Sequence, residues 1–215
     1  MKIVILLGAP GSGKGTVASR LAATDSTIRH VSSGDLLREA VRLKMPAGSE
    51  AEGYMKRGEL VPDALIARMV EELMGLVSQP CIWLLDGFPR TVAQAEMLDG
   101  IASRRGAEVA ATVLLDVEDS ILVNRIAGRR VCPKCGAGYH VTNIPPRLEG
   151  ICDACGTELV IRKDDNVETV KNRLVVYREQ TMPLIAFYGA RGKLRTVVGT
   201  GPIDGIVERV RQAMA

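Results

Sequence analysis

The chain has 215 residues, 47% of them hydrophobic and 25% charged, the balance of a globular enzyme with one good-sized core. A net charge of +3 and only 3% aromatic residues argue against a dedicated nucleic-acid binder. No apolar run approaches the roughly 18 residues a membrane span needs, and "MKIVILL" is too short for a secretion signal, so a cytoplasmic protein is expected, with no membrane and no nucleic acid among its partners.

Along the chain, "KIVILL" (Lys2–Leu7) reads as a buried first strand, and a helical stretch follows from about residue 13 to 23. "TIRHV" (27–31) offers a weak second strand. Residues 32–61 are helical in character but punctuated by glycine, and Pro46 should end the helix before it. "PDALIARMVEELMGLV" (62–77) puts Leu65, Met69, Val70, Leu73 and Val77 on one helix face. Strand "CIWLLD" (81–86) follows, with Cys81 as a small buried hydrophobe. Then come strand "VAATVLLDV" (109–117), helix "EDSILVNRIAG" (118–128), strand "LRTVVG" (194–199) and helix "IDGIVERVRQAM" (203–214). Such alternation argues an α/β fold, a parallel sheet with helices on both faces. Two segments break the rhythm, 32–61 and roughly 128–165, and both read as insertions.

"GAPGSGKGT", from Gly8 to Thr16, lies directly after the first strand and opens a helix, the setting a phosphate loop requires. Backbone N–H groups over Gly11, Ser12, Gly13, Gly15 and Thr16 would cradle a nucleoside triphosphate, and Lys14 would add a full charge. Gly15 stands where the usual pattern has Ser or Thr, so a direct hydroxyl–magnesium bond is not assumed.

Cys132, Cys135, Cys152 and Cys155 form C-x2-C-x16-C-x2-C, the spacing of a four-cysteine zinc site in a reducing compartment. Four thiolates close a tetrahedral shell, so the zinc should be structural; iron could occupy the same sulfurs. A nucleic-acid module or a cluster of reduced thiols are the alternatives.

Three further stretches, "SSGDLLR" (32–38), "LLDGFPRTVAQA" (84–95) and "RKDDNVETVKNRL" (162–174), join the phosphate loop to make the whole chain closely resemble adenylate kinase, in its long-lid form with a zinc-binding lid. The resemblance implies phosphoryl transfer from ATP, with Mg2+, to AMP, giving two ADP. It implies a P-loop NTPase-type core of five parallel strands flanked by helices, over 1–31, 62–127 and 166–215, an AMP-binding lobe over 32–61 and a lid over 128–165. Arg38 and Arg90 would hold the AMP phosphate, Arg129 would serve the ATP side, and Arg125, Arg162 and Arg173 would surround the transferring group. Arginine suits this work because it stays ionised and grips phosphate oxygens with two parallel bonds. Asp86 would hold Mg2+ through waters. Gln94 would read the adenine of AMP in a pocket completed by Ser33, by the backbone of Glu59, Leu60 and Val61, and by Gly87, Phe88 and Pro89. Ser33 departs from the more usual threonine. Gly138 and Tyr139 would lie on the adenine of ATP, which the Gly201 carbonyl would also contact. A monomer is expected. A kinase for UMP or CMP is the nearest rival, disfavoured by the long lid and Gln94; a nucleotide-binding regulator that touches nucleic acid is the more distant one.

Overall fold

The computed structural model describes residues 1–77, 81–162 and 164–215. Strand β1 (Lys2–Leu7) leads through a tight loop into α1 (Lys14–Thr24), then β2 (Ile28–Ser32), α2 (Ser33–Arg42), α3 (Pro46–Arg57) and α4 (Asp63–Gly75). Next come β3 (Ile82–Asp86), α5 (Val92–Arg104), β4 (Glu108–Asp116) and α6 (Asp119–Ala127). The hairpin strands β5 (Arg129–Val131) and β6 (Gly138–His140) precede α7 (Val167–Val176), a π-helical turn at Tyr177–Thr181, α8 (Pro183–Ala190), β7 (Leu194–Val198) and α9 (Ile203–Ala213).

β1 takes the middle of the sheet because it is apolar on both faces: Ile3, Val4, Ile5 and Leu6 are at most 1% exposed. Five strands pair in the order β2-β3-β1-β4-β7, all parallel, the α/β P-loop core expected. Alternation of side chains divides the core in two. Ile3, Ile5, Trp83 and Leu85 face α4, α5 and α8, packing with Val70, Leu98 and Leu184. Val4, Leu6, Leu84 and Val113 face α1 and α9, packing with Leu21 and Val210.

The weak strand at 27–31 is the full edge strand β2, and strand 81–86 begins one residue later than expected. Pro46 does more than stop a helix. It is the first residue of α3, where its missing N–H costs nothing. Helices α7 and α8 had no counterpart in the sequence reading, and Lys163 of the "RKDD" stretch lies outside the described residues.

Among the described residues, three helices start with side-chain caps, and each carries candidate site residues. Ser32 accepts from Asp35 N–H (3.2 Å) ahead of Arg38, Thr91 from Gln94 N–H (3.0 Å), and Asn166 from Thr169 N–H (2.9 Å) ahead of Arg173. α7 is tied to the end of α3, where Thr169 Oγ1 donates to the Lys56 carbonyl (3.0 Å) and Asn172 Nδ2 to that of Arg57 (2.7 Å).

Candidate active site

The loop after β1 turns back on itself, with Ser12 N–H donating to the Ala9 carbonyl at 3.1 Å. Lys14 Nζ folds into it and donates to the carbonyls of Gly8 (2.7 Å) and Ala9 (3.0 Å) and to Ser12 Oγ (3.3 Å). Burial pushes the Lys14 ammonium down to about 8; Asp86 opposes the shift, while Arg90, Arg173 and Arg129 reinforce it. A nucleotide phosphate in the loop would restore the charge that burial disfavours.

Asp86 ends β3 level with Leu6 of β1 and Ser32 of β2, so its carboxylate, the phosphate loop and α2 leave the same sheet edge. Burial alone would raise its pKa, but His30, Lys14 and Arg90 together hold the carboxyl below its ordinary range. A Cβ at position 15 would lie 3.2 Å from Asp86 Oδ2, so the glycine in place of Ser or Thr lets α1 start hard against the carboxylate.

A single open cleft of about 1460 Å³ is lined by Lys14, Asp86 and all six singled-out arginines. Four of these arginines face carboxylates. Arg129 pairs with Asp165, whose side chain is fully buried (3.2 Å), Arg173 with Asp164 and Asp165 (3.4 Å each), Arg38 with Asp35 (2.6 Å) and Asp164 (3.5 Å), and Arg162 with Asp35 (3.8 Å). Arg125 instead donates to the backbone carbonyls of Ser12 (3.2 Å) and Gly199 (2.9 Å). Arg90 Nε donates to the Gly87 carbonyl at 2.8 Å, and burial first, then Arg173 and Arg38, lowers its pKa to about 10 against the pull of Asp86 and Asp164. Asp35, Asp164 and Asp165 went unmarked in the sequence reading. Only part of their signal was local: Asp35 lies three residues before Arg38, which it meets, whereas Asp164 and Asp165 reach Arg38, Arg129 and Arg173 from elsewhere in the chain.

Beside the cleft a smaller pocket is lined by Ser33, Glu59, Leu60, Val61, Gly87 and Gln94. Arg38, Arg90 and Arg173 border both cavities. Ser33 Oγ donates to the Gly87 carbonyl at 2.7 Å, so its hydroxyl shapes the backbone there. Pro89 lines the main cleft; Phe88 lines neither cavity and, at 1% exposed, is packed in the core. Gly138, Tyr139 and Gly201 line the main cleft and not the pocket that Gln94 lines.

The four cysteines meet at the tip of the 128–165 segment. Their sulfurs all lie within 4.8 Å of one another, with Cys132–Cys155 at 3.4 Å and Cys135–Cys152 at 3.5 Å. A tetrahedral zinc with bonds of about 2.3 Å sets sulfurs roughly 3.8 Å apart, so the donor set fits a four-thiolate metal site. Two matching turns build it: Cys132 and Cys152 N–H donate to the carbonyls of Ala137 and Thr157 (2.9 Å each), and Gly136 and Gly156 follow the second cysteine of each pair at φ 76° and 69°. Those angles favour glycine, since other residues meet their own Cβ there. Tyr139 Oη lies 3.5 Å from Cys152 Sγ, and its hydroxyl pushes that thiol down to about 6 while its own pKa rises to about 12. Leu159, Ala137 and Tyr139 complete a core too small to order the segment alone.

A family model described as Adenylate kinase matches residues 6–193. Among curated proteins, the chain is 47% identical over 206 residues to an adenylate kinase of Clostridium beijerinckii, covering 96% of this chain and 94% of that one. It is 46% identical over 203 residues to one of Lachnospira eligens, 94% and 95% of the two chains. An adenylate kinase of Carboxydothermus hydrogenoformans is 44% identical over 214 residues, 100% of this chain and 99% of the relative.

Proposed function

The chain belongs to the adenylate kinase family, whose enzymes move a phosphoryl group reversibly from ATP to AMP to give two ADP, and on that premise we propose how its residues share the work. The observation that carries the reading is one cleft holding Lys14, Asp86 and six arginines, joined by shared arginines to a smaller pocket that Gln94 lines.

The segments 1–31, 62–127 and 166–215 form the core, 32–61 the AMP lobe and 128–165 the lid. ATP lies with its phosphates in the loop from Gly11 to Thr16 and its adenine against Gly138, Tyr139 and the Gly201 carbonyl. AMP occupies the smaller pocket, its base read by Gln94 and its phosphate held by Arg38 and Arg90. The attacking oxygen is already anionic, so no strong general base is needed; positioning and charge stabilisation carry the chemistry. Arg129 and Lys14 hold the donor chain, and Arg125, Arg162 and Arg173 stabilise charge spread over the transferring group. Asp86, kept ionised by its neighbours, suits the Mg2+ that arrives with ATP and neutralises its phosphate oxygens. Zinc at the four cysteines staples the lid. Thiols maintained as metal ligands suit a cytoplasmic setting, and a cleft complete within one chain suits a monomer.

With ATP and a panel of nucleoside monophosphates, AMP is expected to turn over far faster than UMP or CMP. Preference for a pyrimidine nucleotide would overturn the acceptor assignment.

Water must be kept from the transferring group, or it would be lost to hydrolysis. A mimic of both substrates, two adenosines joined by five phosphates, is therefore expected to inhibit tightly and to shorten distances between spin labels on lid and core. Unchanged label distances with the mimic bound would rule closure out.

A further inference from the structure

We propose that Asp63 is a positioning residue for acceptor choice: it fixes the Gln94 side-chain amide in one orientation, selecting a 6-aminopurine over a 6-oxopurine in the smaller pocket. This rests on the role given to Gln94 above.

Asp63 is the first residue of α4 and lies 31 positions before Gln94. Gln94 is only 2% exposed and both ends of its amide are engaged. Its Oε1 accepts from Arg90 N–H at 2.7 Å, and its Nε2 donates to Asp63 Oδ1 at 2.7 Å. A backbone N–H can only donate and an ionised carboxylate can only accept. Turning the amide over would therefore set two donors face to face at Arg90 and two acceptors face to face at Asp63. Asp63 is itself held, because Thr91 Oγ1 donates to its Oδ2 at 3.2 Å while accepting from Gln94 N–H at 3.0 Å.

These bonds leave Gln94 one N–H and one oxygen lone pair for a ligand, in fixed order. Gln94 lines the pocket; Asp63 does not, so it acts through the amide and not by touching substrate. A 6-aminopurine presents an amino donor beside a ring-nitrogen acceptor, which matches an amide. A 6-oxopurine presents an acceptor beside a ring N–H, the reverse order, and could be matched only by a turned amide. A site built around one hydrogen-bond order rejects the other because buried groups are left unpaired. A carboxylate in the first turn of α4 also favours the helix dipole, but that role would affect stability and leave base choice alone.

The test measures kcat/KM for AMP and for IMP with saturating ATP in the wild type, Asp63→Asn, Asp63→Ser and Gln94→Leu. Asparagine or serine can donate as well as accept, so either is expected to raise the IMP-to-AMP ratio about tenfold, from loss of one buried hydrogen bond, with the KM for ATP unchanged. An unchanged ratio in a folded Asp63 variant, with Gln94→Leu losing the preference, overturns the inference and spares the Gln94 reading. Wild-type preference in Gln94→Leu overturns both. Should neither Asp63 variant fold, solvent exchange of the Gln94 amide protons in the wild type decides: protection supports the clamp, and exchange as fast as in a free side chain overturns it.

Discussion

Arg90→Lys is expected to lower kcat/KM for AMP by about a hundredfold or more, the scale on which single charge-stabilising donors act, with the melting temperature moving little. The Nε of Arg90 is already spent on the Gly87 carbonyl at 2.8 Å, which aims the rest of the guanidinium fork at the junction of the two cavities. A lysine has one point of charge for two tasks, the backbone carbonyl and the phosphate, and cannot bond two phosphate oxygens in a plane. Burial depresses the Arg90 pKa only to about 10, so the native guanidinium stays charged at neutral pH. A lysine in the same surroundings starts from a lower pKa and loses more of its charge to the same burial. Steady-state kinetics beside a thermal melt checks both halves. Wild-type turnover in the lysine variant would remove Arg90 from the site.

Cys152→Ser is expected to release the metal and lower the melting temperature by about 6–12 °C. In small zinc domains a structural zinc contributes about 10–16 kcal/mol, most of it spent on ordering the chain around it. A loss of about 3 kcal/mol reaching the core would shift a chain of this size by that amount. Cys152 is the natural target because it is 2% exposed, close to Cys135 Sγ and in contact with the Tyr139 hydroxyl. Metal content by atomic absorption should fall from about one zinc per chain, as one closed four-ligand site requires, to none. Phosphoryl transfer should remain measurable at low temperature. A metal-free variant that melts like its parent would refute the staple, and a well-folded variant that binds nucleotide without any chemistry would make the zinc catalytic.

The features legible in the sequence are those set by local rules. Ligand spacing announced the cysteine site, and strand, glycine-rich turn and lysine announced the phosphate loop. Core strands β1, β3 and β4 read clearly because both their faces are buried, giving continuous apolar runs. β2 read weakly because it is an edge strand that carries Arg29 and His30. α7 was missed since Val167 is 73% exposed, leaving no clean apolar face, and the π-helical turn at Tyr177–Thr181 then shifts the helical register before α8. The contacts made across long stretches of chain were not legible at all. Nothing in sequence pairs Asp63 with Gln94, or Arg38 with Asp164; those meetings depend on strand order, which periodicity does not carry.

The pairing of Arg38, Arg129, Arg162 and Arg173 with Asp35, Asp164 and Asp165 has a consequence for turnover. These carboxylates stand as resident counter-ions, so with the arginines in their proposed roles nucleotide binding would be an exchange of anions and not the neutralisation of bare charge. A phosphate arriving at these arginines would have to compete with a carboxylate already there, which would hold affinity below what so many arginines could otherwise provide. On the way out the exchange would run backwards, with Arg38, Arg129, Arg162 and Arg173 regaining their carboxylates as ADP departs. A site dense enough in positive charge to drive transfer could in this way still let its products go.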